Sequence, residues 1–438
     1  MSTPTVDTST DASRLAGQRR KATIAGSAGM FIEFYEFGVY GAMAPIIATV
    51  FFPADTGFIG LLATWAIFGV TFFVRPLGGF VLGVLGDKLG RKTALLLSIL
   101  IITIATTLIG LTPGYAAIGV AAPILLLLFR LAQGFSAGGE VSAAMTFVGE
   151  HADPKRRAFA VSFVQSASFV ALLCGTGLGI VLTSLLDDQA MHDWGWRIPF
   201  LLSLPLGLFG LWLRRSIGET EVFQVKKETG NIAVNPAREM MSTASNRRNL
   251  WIAMLLPVLN GVGYYVVYNY LPTYLSTSLG FTSLDSFIIT SVGLLALCIA
   301  VPFAAIAADR WGRRTVLLIS AVAMAVLTFP AYGLMQNGTM AWAIAGIVGL
   351  SIFFAGQTGV IHTALLEMFP AAVRTTAYSV GYNIGLAIFG GAGPLVVTSL
   401  IGQTGNNDIV AFYVIGAAVV TFVCGLFMAE TKARSLHD

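Results

Sequence analysis

The chain has 438 residues, 56% of them apolar and only 11% charged, about half the charged share of an ordinary soluble protein. One aqueous core cannot bury that much apolar surface at this length, so lipid must be the solvent for much of the chain. The formal net charge of +4 is small and is sorted by side of the membrane, which argues against a nucleic-acid partner. Cys174, Cys298 and Cys424 each lie inside an apolar run. With no CxxC pair they read as small core residues, not as metal ligands or a disulfide framework.

Residues 1–21 are rich in Ser, Thr, Asp and Arg and end in Arg19, Arg20 and Lys21. This predicts a disordered tail and not a cleaved signal. Twelve apolar segments of spanning length follow, near 23–51, 58–85, 93–112, 119–147, 158–184, 198–214, 250–275, 286–307, 315–335, 340–366, 374–401 and 409–429. The expected fold is an all-α membrane protein of twelve transmembrane helices. Residues 22–214 form one six-helix half, 215–249 a linker, 250–430 the second half and 431–438 a short tail. Short helical patterns in the linker, such as Glu219 to Lys227, suit a membrane surface. Placing the tail and every second loop on one side collects 23 of the 26 Lys and Arg there. Arg75 and Arg130 lie within helices and only Arg197 falls in an opposite loop. By the positive-inside rule both termini are cytoplasmic.

Two internal echoes argue for duplication. Gly83 to Thr93 reads G-V-L-G-D-K-L-G-R-K-T, and Ala305 to Thr315 reads A-I-A-A-D-R-W-G-R-R-T, with Asp87 and Asp309 at an offset of 222. Each copy packs a carboxylate, a glycine and bases into a turn between apolar segments. Such a turn needs glycine for the reversal, and its bases keep it at the membrane surface. Glu150 to Arg157 (E-H-A-D-P-K-R-R) and Glu367 to Arg374 (E-M-F-P-A-A-V-R) form the second echo, at an offset of 217. The first motif and its copy resemble the major facilitator superfamily over residues 22 to 432. The resemblance implies two pseudo-symmetric halves with substrate bound between them at mid-depth. It also implies that Asp87, Arg91, Asp309 and Arg313 latch the cytoplasmic side.

Function is expected where charge is forced into the bilayer. Glu33 and Glu36 in the first helix, Arg75 in the second, and Arg130 and Glu140 in the fourth are such residues. Glu33 lies 12 residues beyond Lys21, roughly 18 Å along a helix and near the bilayer middle. Glu36 is one turn on, and Arg75 lies 12 residues before Asp87 at similar depth. Permanent ion pairs between helices are the plain reading. Three glutamates against two arginines leave one negative charge over, however, and a buried uncompensated carboxylate tends to take up a proton. That makes Glu33, Glu36 and Glu140 candidates for proton coupling.

The runs F-I-E-F-Y-E-F-G-V-Y-G (31–41), F-F-V-R-P-L-G-G (72–79), R-L-A-Q-G-F-S-A-G-G-E (130–140) and D-W-G-W-R-I-P-F (193–200) resemble the metabolite:proton symporter family, nearest its proline/betaine branch. Phe34 and Glu36 stand where that family usually has tryptophan and aspartate. The resemblance implies a carrier of the bacterial inner membrane importing a small polar metabolite with a proton and no other cofactor; its expected partners are that substrate, the proton and the lipid bilayer, and its working unit is a monomer. Arg75 or Arg130, with Gln133 nearby, would hold a substrate carboxylate. In the seventh helix Tyr264 and Tyr268 precede Asn269 and Pro272, where the helix is expected to break, and aromatic faces there suit a quaternary ammonium. Gln165, Gln357, His362 and Asn383 are further polar candidates inside helices. A zwitterion such as proline or a betaine is slightly favoured over an organic di- or tricarboxylate such as citrate or 2-oxoglutarate. A transporter-like sensor is a remoter reading, and scattered histidines give no sign of an enzyme.

Overall fold

The computed structural model describes residues 8–89, 91–215, 241–370, 373–432, 434 and 436. Twelve helices run through them in chain order. In the first half they are α1 (Thr8–Phe51), α2 (Phe58–Leu89), α3 (Arg91–Leu111), α4 (Ala121–His151), α5 (Arg157–Leu185) and α6 (Arg197–Leu201 continued by Ser203–Arg215). In the second they are α7 (Ala244–Asn269), α8 (Ser283–Trp311), α9 (Arg313–Met335), α10 (Met340–Met368), α11 (Arg374–Thr404) and α12 (Ile409–Phe427). Among the described residues ten of these are long and apolar enough to cross a membrane, and the apolar stretch of α3, Leu96–Leu111, is shorter. The helix α1 starts at Thr8, inside the stretch expected as a disordered tail. Residues 11–21 read D-A-S-R-L-A-G-Q-R-R-K, and their Ala, Arg and Lys favour helix once a long neighbour propagates into them. The linker pattern from Glu219 to Lys227 lies outside the described residues.

Rows of apolar side chains face outward on α3, α6, α9 and α12, and on α2 and α8 as well. Leu100, Ile104 and Leu108 of α3, Leu208, Phe209 and Trp212 of α6, Ile319, Val322 and Val326 of α9, and Phe412, Val419 and Val423 of α12 are exposed. Apolar side chains facing outward in rows are what a lipid-facing helix requires. The other eight helices meet between the halves, where α5 packs on α8, α2 on α11, α1 on α7, and α4 on α10 and α11.

Two glycines set the geometry. Gly312, in the second copy of the Asp-to-Arg turn, has φ 103°, a region that L-residues with a Cβ avoid. It lets α8 turn directly into α9. Gly138 sits where a Cβ would collide with the Arg75 carbonyl, so α2 and α4 touch backbone to backbone. That contact breaks α4 between Ser136 and Glu140 and brings Arg75 and Arg130 together inside the bundle. The cysteines are free, with Cys424 buried and Cys174 and Cys298 half-buried.

Candidate functional site

Glu33, Glu36, Arg75 and Arg130 are all buried, the two arginines completely. A relay of hydrogen bonds joins three helices. Arg130 Nη1 donates to Gln133 Oε1 (2.8 Å), Gln133 Nε2 donates to the Thr106 hydroxyl (2.8 Å), and Thr106 lies 2.8 Å from Glu36 Oε2, to which it donates. Aromatic faces complete the shell. The Arg130 guanidinium lies 4.2 Å from the Tyr40 ring centre and 5.2 Å from that of Phe68. Arg75 lies 4.5 Å from the Phe72 centre and 4.8 Å from that of Phe37. None of the three Arg75 guanidinium nitrogens has a hydrogen-bond partner. A buried guanidinium in that condition costs several kcal/mol, while a desolvated cation–π contact returns about 2 kcal/mol. Arg130 keeps its Nη1 bond to Gln133 while its Nε and Nη2 are unpartnered, so Arg75, unpartnered at all three nitrogens, has the larger unmet demand for an anion.

Glu140 stands apart from this group. Its carboxylate lies 3.5 Å from the Ser98 hydroxyl of α3, below the break in α4 and two turns from Gln133. The surplus of three carboxylates over two guanidiniums therefore does not hold locally; two of each share the site.

Helix α7 also departs from the expected register. Residues Gly263–Asn269 are wound as π-helix, with more than four residues per turn. The Tyr265 ring consequently turns inward, 4.8 Å from Phe72 and 5.7 Å from Phe68. Tyr264 instead donates its hydroxyl to the Ser168 carbonyl across the halves (3.1 Å). Tyr268 donates to Ser351 within its own half (2.8 Å) and packs on Phe354. Neither is the α7 ring beside the arginines. The helix does break after Asn269, and Pro272 opens the next short turn.

Several of the polar candidates join the halves. Asn269 donates to the Phe37 carbonyl (2.7 Å), Gln165 to the Thr358 hydroxyl (3.1 Å) and Asn383 to the Gly138 carbonyl (3.1 Å). Gln357 donates to Leu256 O within the second half (3.1 Å). His362 pairs with the Tyr378 hydroxyl (2.5 Å) and faces the Tyr382 ring. Beyond Asn269, at the end away from the basic loops, a pocket of about 190 Å³ opens between the halves, lined by Ala42, Pro45, Thr183, Asp188, His192 and Ser286 among others. The Asn269 bond lies between that pocket and the arginines.

The basic end is closed by charge. Asp309 accepts the Ala158 and Phe159 N–H groups at the start of α5 (3.1 and 3.0 Å) and pairs with Arg313 (3.0 Å). A carboxylate at a helix N-terminus is the favourable sign for the helix dipole. Glu367 accepts from Arg313 Nε and Nη2 (3.0 Å each) and from Arg157 Nη1 (2.7 Å). Arg374 donates to Glu150 (2.7 Å). Asp309 and Arg313 thus stand where a latch requires, whereas the side chains of Asp87 and Arg91 lie outside the described ones. Glu150, Arg157, Glu367 and Arg374 escaped selection as site residues, although their repeated spacing was the signal that could have found them.

The family described as Major Facilitator Superfamily matches residues 26–299, and that described as Sugar (and other) transporter matches residues 230–438. The glycine betaine/proline/ectoine/pipecolic acid transporter OusA of Dickeya dadantii is 36% identical over 428 residues, covering 96% of this chain and 85% of that protein. A proline/betaine transporter of Escherichia coli is 36% identical over 427 residues, with the same coverage. An ectoine/proline transporter of Corynebacterium glutamicum is 33% identical, covering 95% and 84%. Among solved structures, a partially occluded inward-open xylose transporter XylE of E. coli aligns with TM-score 0.74 at 17% identity, over 95% of this chain and 99% of that one.

Proposed function

The chain belongs to the Major Facilitator Superfamily, and on that premise we propose that this multi-pass membrane transporter imports a small zwitterion together with a proton. The observation that carries the reading is Arg75, fully buried with no hydrogen-bond partner on its guanidinium. A substrate carboxylate meets that demand in bidentate geometry. The relatives named as transporters of proline, betaines and ectoine supply the substrate class. Charge at the outer end supports it. Asp55, Asp187, Asp188, Asp193, Asp285 and Asp408 fall there against Arg197 as the one arginine or lysine, and Arg197 is engaged by the Gly110 and Thr112 carbonyls. An entrance of that sign repels a tricarboxylate and tolerates a zwitterion.

Proton coupling follows from the local balance of two carboxylates and two guanidiniums. A zwitterion is net neutral and leaves the overall balance unchanged, but its carboxylate engages a guanidinium that otherwise offsets a glutamate, and a proton on Glu36 or Glu33 restores the local balance inside the bilayer. Binding of substrate and proton then favour each other. The charge sorting supports a topology with both termini cytoplasmic; with bacterial relatives, the reading extends to the inner membrane of a bacterial cell, a monomer as working unit, and two halves of residues 22–214 and 250–430 joined by a cytoplasmic linker.

The test is uptake by proteoliposomes under an imposed inward proton gradient. Radiolabelled proline or glycine betaine should accumulate and the protonophore-treated control should not. Accumulation of citrate with no effect of either zwitterion would reverse the substrate reading.

A further inference from the structure

We propose that the ring faces of Phe37 and Phe72, now covered by the Arg75 guanidinium, are the seat of the substrate's own quaternary ammonium, and that the substrate carboxylate draws Arg75 off them. The inference rests on the zwitterion reading above. Its starting point is a contrast between the two arginines. Arg130 is tethered to Gln133 and through it to Thr106 and Glu36. Arg75 touches Phe72 and Phe37 at 4.5 and 4.8 Å and has no hydrogen-bond partner. Arg75 therefore rests on ring faces where Arg130 is tied by a hydrogen bond.

A guanidinium and a trimethylammonium are both weakly hydrated cations that settle on aromatic faces. Phe72 is further walled by Tyr265, edge-on at 4.8 Å and 78°, so the place Arg75 covers is framed by three rings. A carboxylate is a far stronger partner for a guanidinium than a ring is. A short zwitterion brings both halves of the exchange: its carboxylate takes Arg75, and its ammonium takes the rings that Arg75 leaves. A cation lacking a carboxylate offers Arg75 no reason to move and meets its charge. A carboxylate lacking a cation leaves the rings bare. Selectivity for molecules carrying both charges is thereby built into one movable side chain.

The experiment measures binding to the purified full-length protein by calorimetry, using glycine betaine, choline and 3,3-dimethylbutanoate, the isosteric carboxylate in which an uncharged tert-butyl group replaces the trimethylammonium of glycine betaine. The parent should bind glycine betaine about tenfold or more tighter than the isostere, as expected for a desolvated cation–π contact, and should not bind choline. Phe72→Leu should reduce that preference to about threefold or less, while Phe72→Tyr, which keeps a ring face, should retain it. If Phe72→Leu does not fold, Phe37→Leu serves in its place, since that ring lies under the same guanidinium. A preference equal to the parent's in the leucine variants overturns the inference while leaving the zwitterion reading intact. A parent that binds neither glycine betaine nor proline but binds a di- or tricarboxylate overturns both.

Discussion

Arg157 and Glu367 stand 210 positions apart in sequence and 2.7 Å apart in space, and Arg374 with Glu150 repeats the exchange in the opposite sense at 2.7 Å. Each half thus lends its glutamate to the other half's arginine. This is how a duplicated segment becomes an interface: the two copies of one Glu-to-Arg spacing are related by the axis between the halves, so each finds its complement in the other.

Glu367 is the centre of that closure, accepting from Arg313, Arg157 and the Thr431 hydroxyl. Glu367→Gln keeps the shape but takes the anion from buried Arg157 and leaves Arg313 with Asp309 alone, a loss of about 3–5 kcal/mol for a broken buried pair. A lower unfolding midpoint in detergent is expected, together with a wider cytoplasmic separation of the halves by spin-label distances. An unchanged midpoint and distance distribution would show that the network is ornamental to closure.

Asp309 holds the first N–H groups of α5 from the other half. Asp309→Asn keeps a carbonyl acceptor but removes the charge that the helix terminus and Arg313 favour, a change of about 1 kcal/mol at such a site. Transport should slow several-fold while glycine betaine affinity stays within about threefold. Severe loss of binding in a folded variant would place Asp309 in the substrate site.

Glu36 is linked by Thr106 and Gln133 to Arg130. Glu36→Gln cannot exchange a proton, so gradient-driven accumulation should disappear while substrate exchange across the membrane persists. The parent's uptake should fall as external pH rises, because the co-transported proton becomes scarce, and the variant's exchange should be flat over the same range. Normal accumulation by Glu36→Gln would move the proton site to Glu33.

Arg75→Lys tests the carboxylate partner. Lysine supplies a point charge and no planar fork, so affinity for a carboxylate-bearing substrate should drop by about tenfold, the worth of one charge-assisted hydrogen bond. Arg130→Lys should chiefly lower thermal stability by loosening the Gln133 relay. Equal affinity in parent and Arg75→Lys, read by calorimetry, would point to Arg130 as the carboxylate site.

The twelve helices and their duplication were legible because hydrophobic length and repeated motifs are properties of the chain itself. So was the depth of Glu33, Glu36, Arg75 and Arg130, which follows from counting residues along a helix. Which tyrosine of α7 faces the arginines was not. A reading at 3.6 residues per turn puts Tyr264 and Tyr268 on one face, whereas the π-wound stretch turns Tyr265 inward. Glu140 was grouped with the arginines because an unbroken α4 would align them. The Gly138 contact with α2 breaks that helix and carries Glu140 away. Both departures depend on contacts between distant segments, which no local period contains.

The two ends of the interface are held by different chemistry. Toward the basic loops the halves are joined by ion pairs, Arg157 to Glu367 and Arg374 to Glu150; toward the pocket they are joined by neutral bonds such as Asn269 to Phe37 O and Ser291 to Thr176. Opening at the neutral end sacrifices an amide or hydroxyl contact that water replaces readily, whereas opening at the charged end must separate buried charges before water reaches them. The charged end is therefore the costlier of the two to open, and the step that opens it becomes the slower stroke of the cycle.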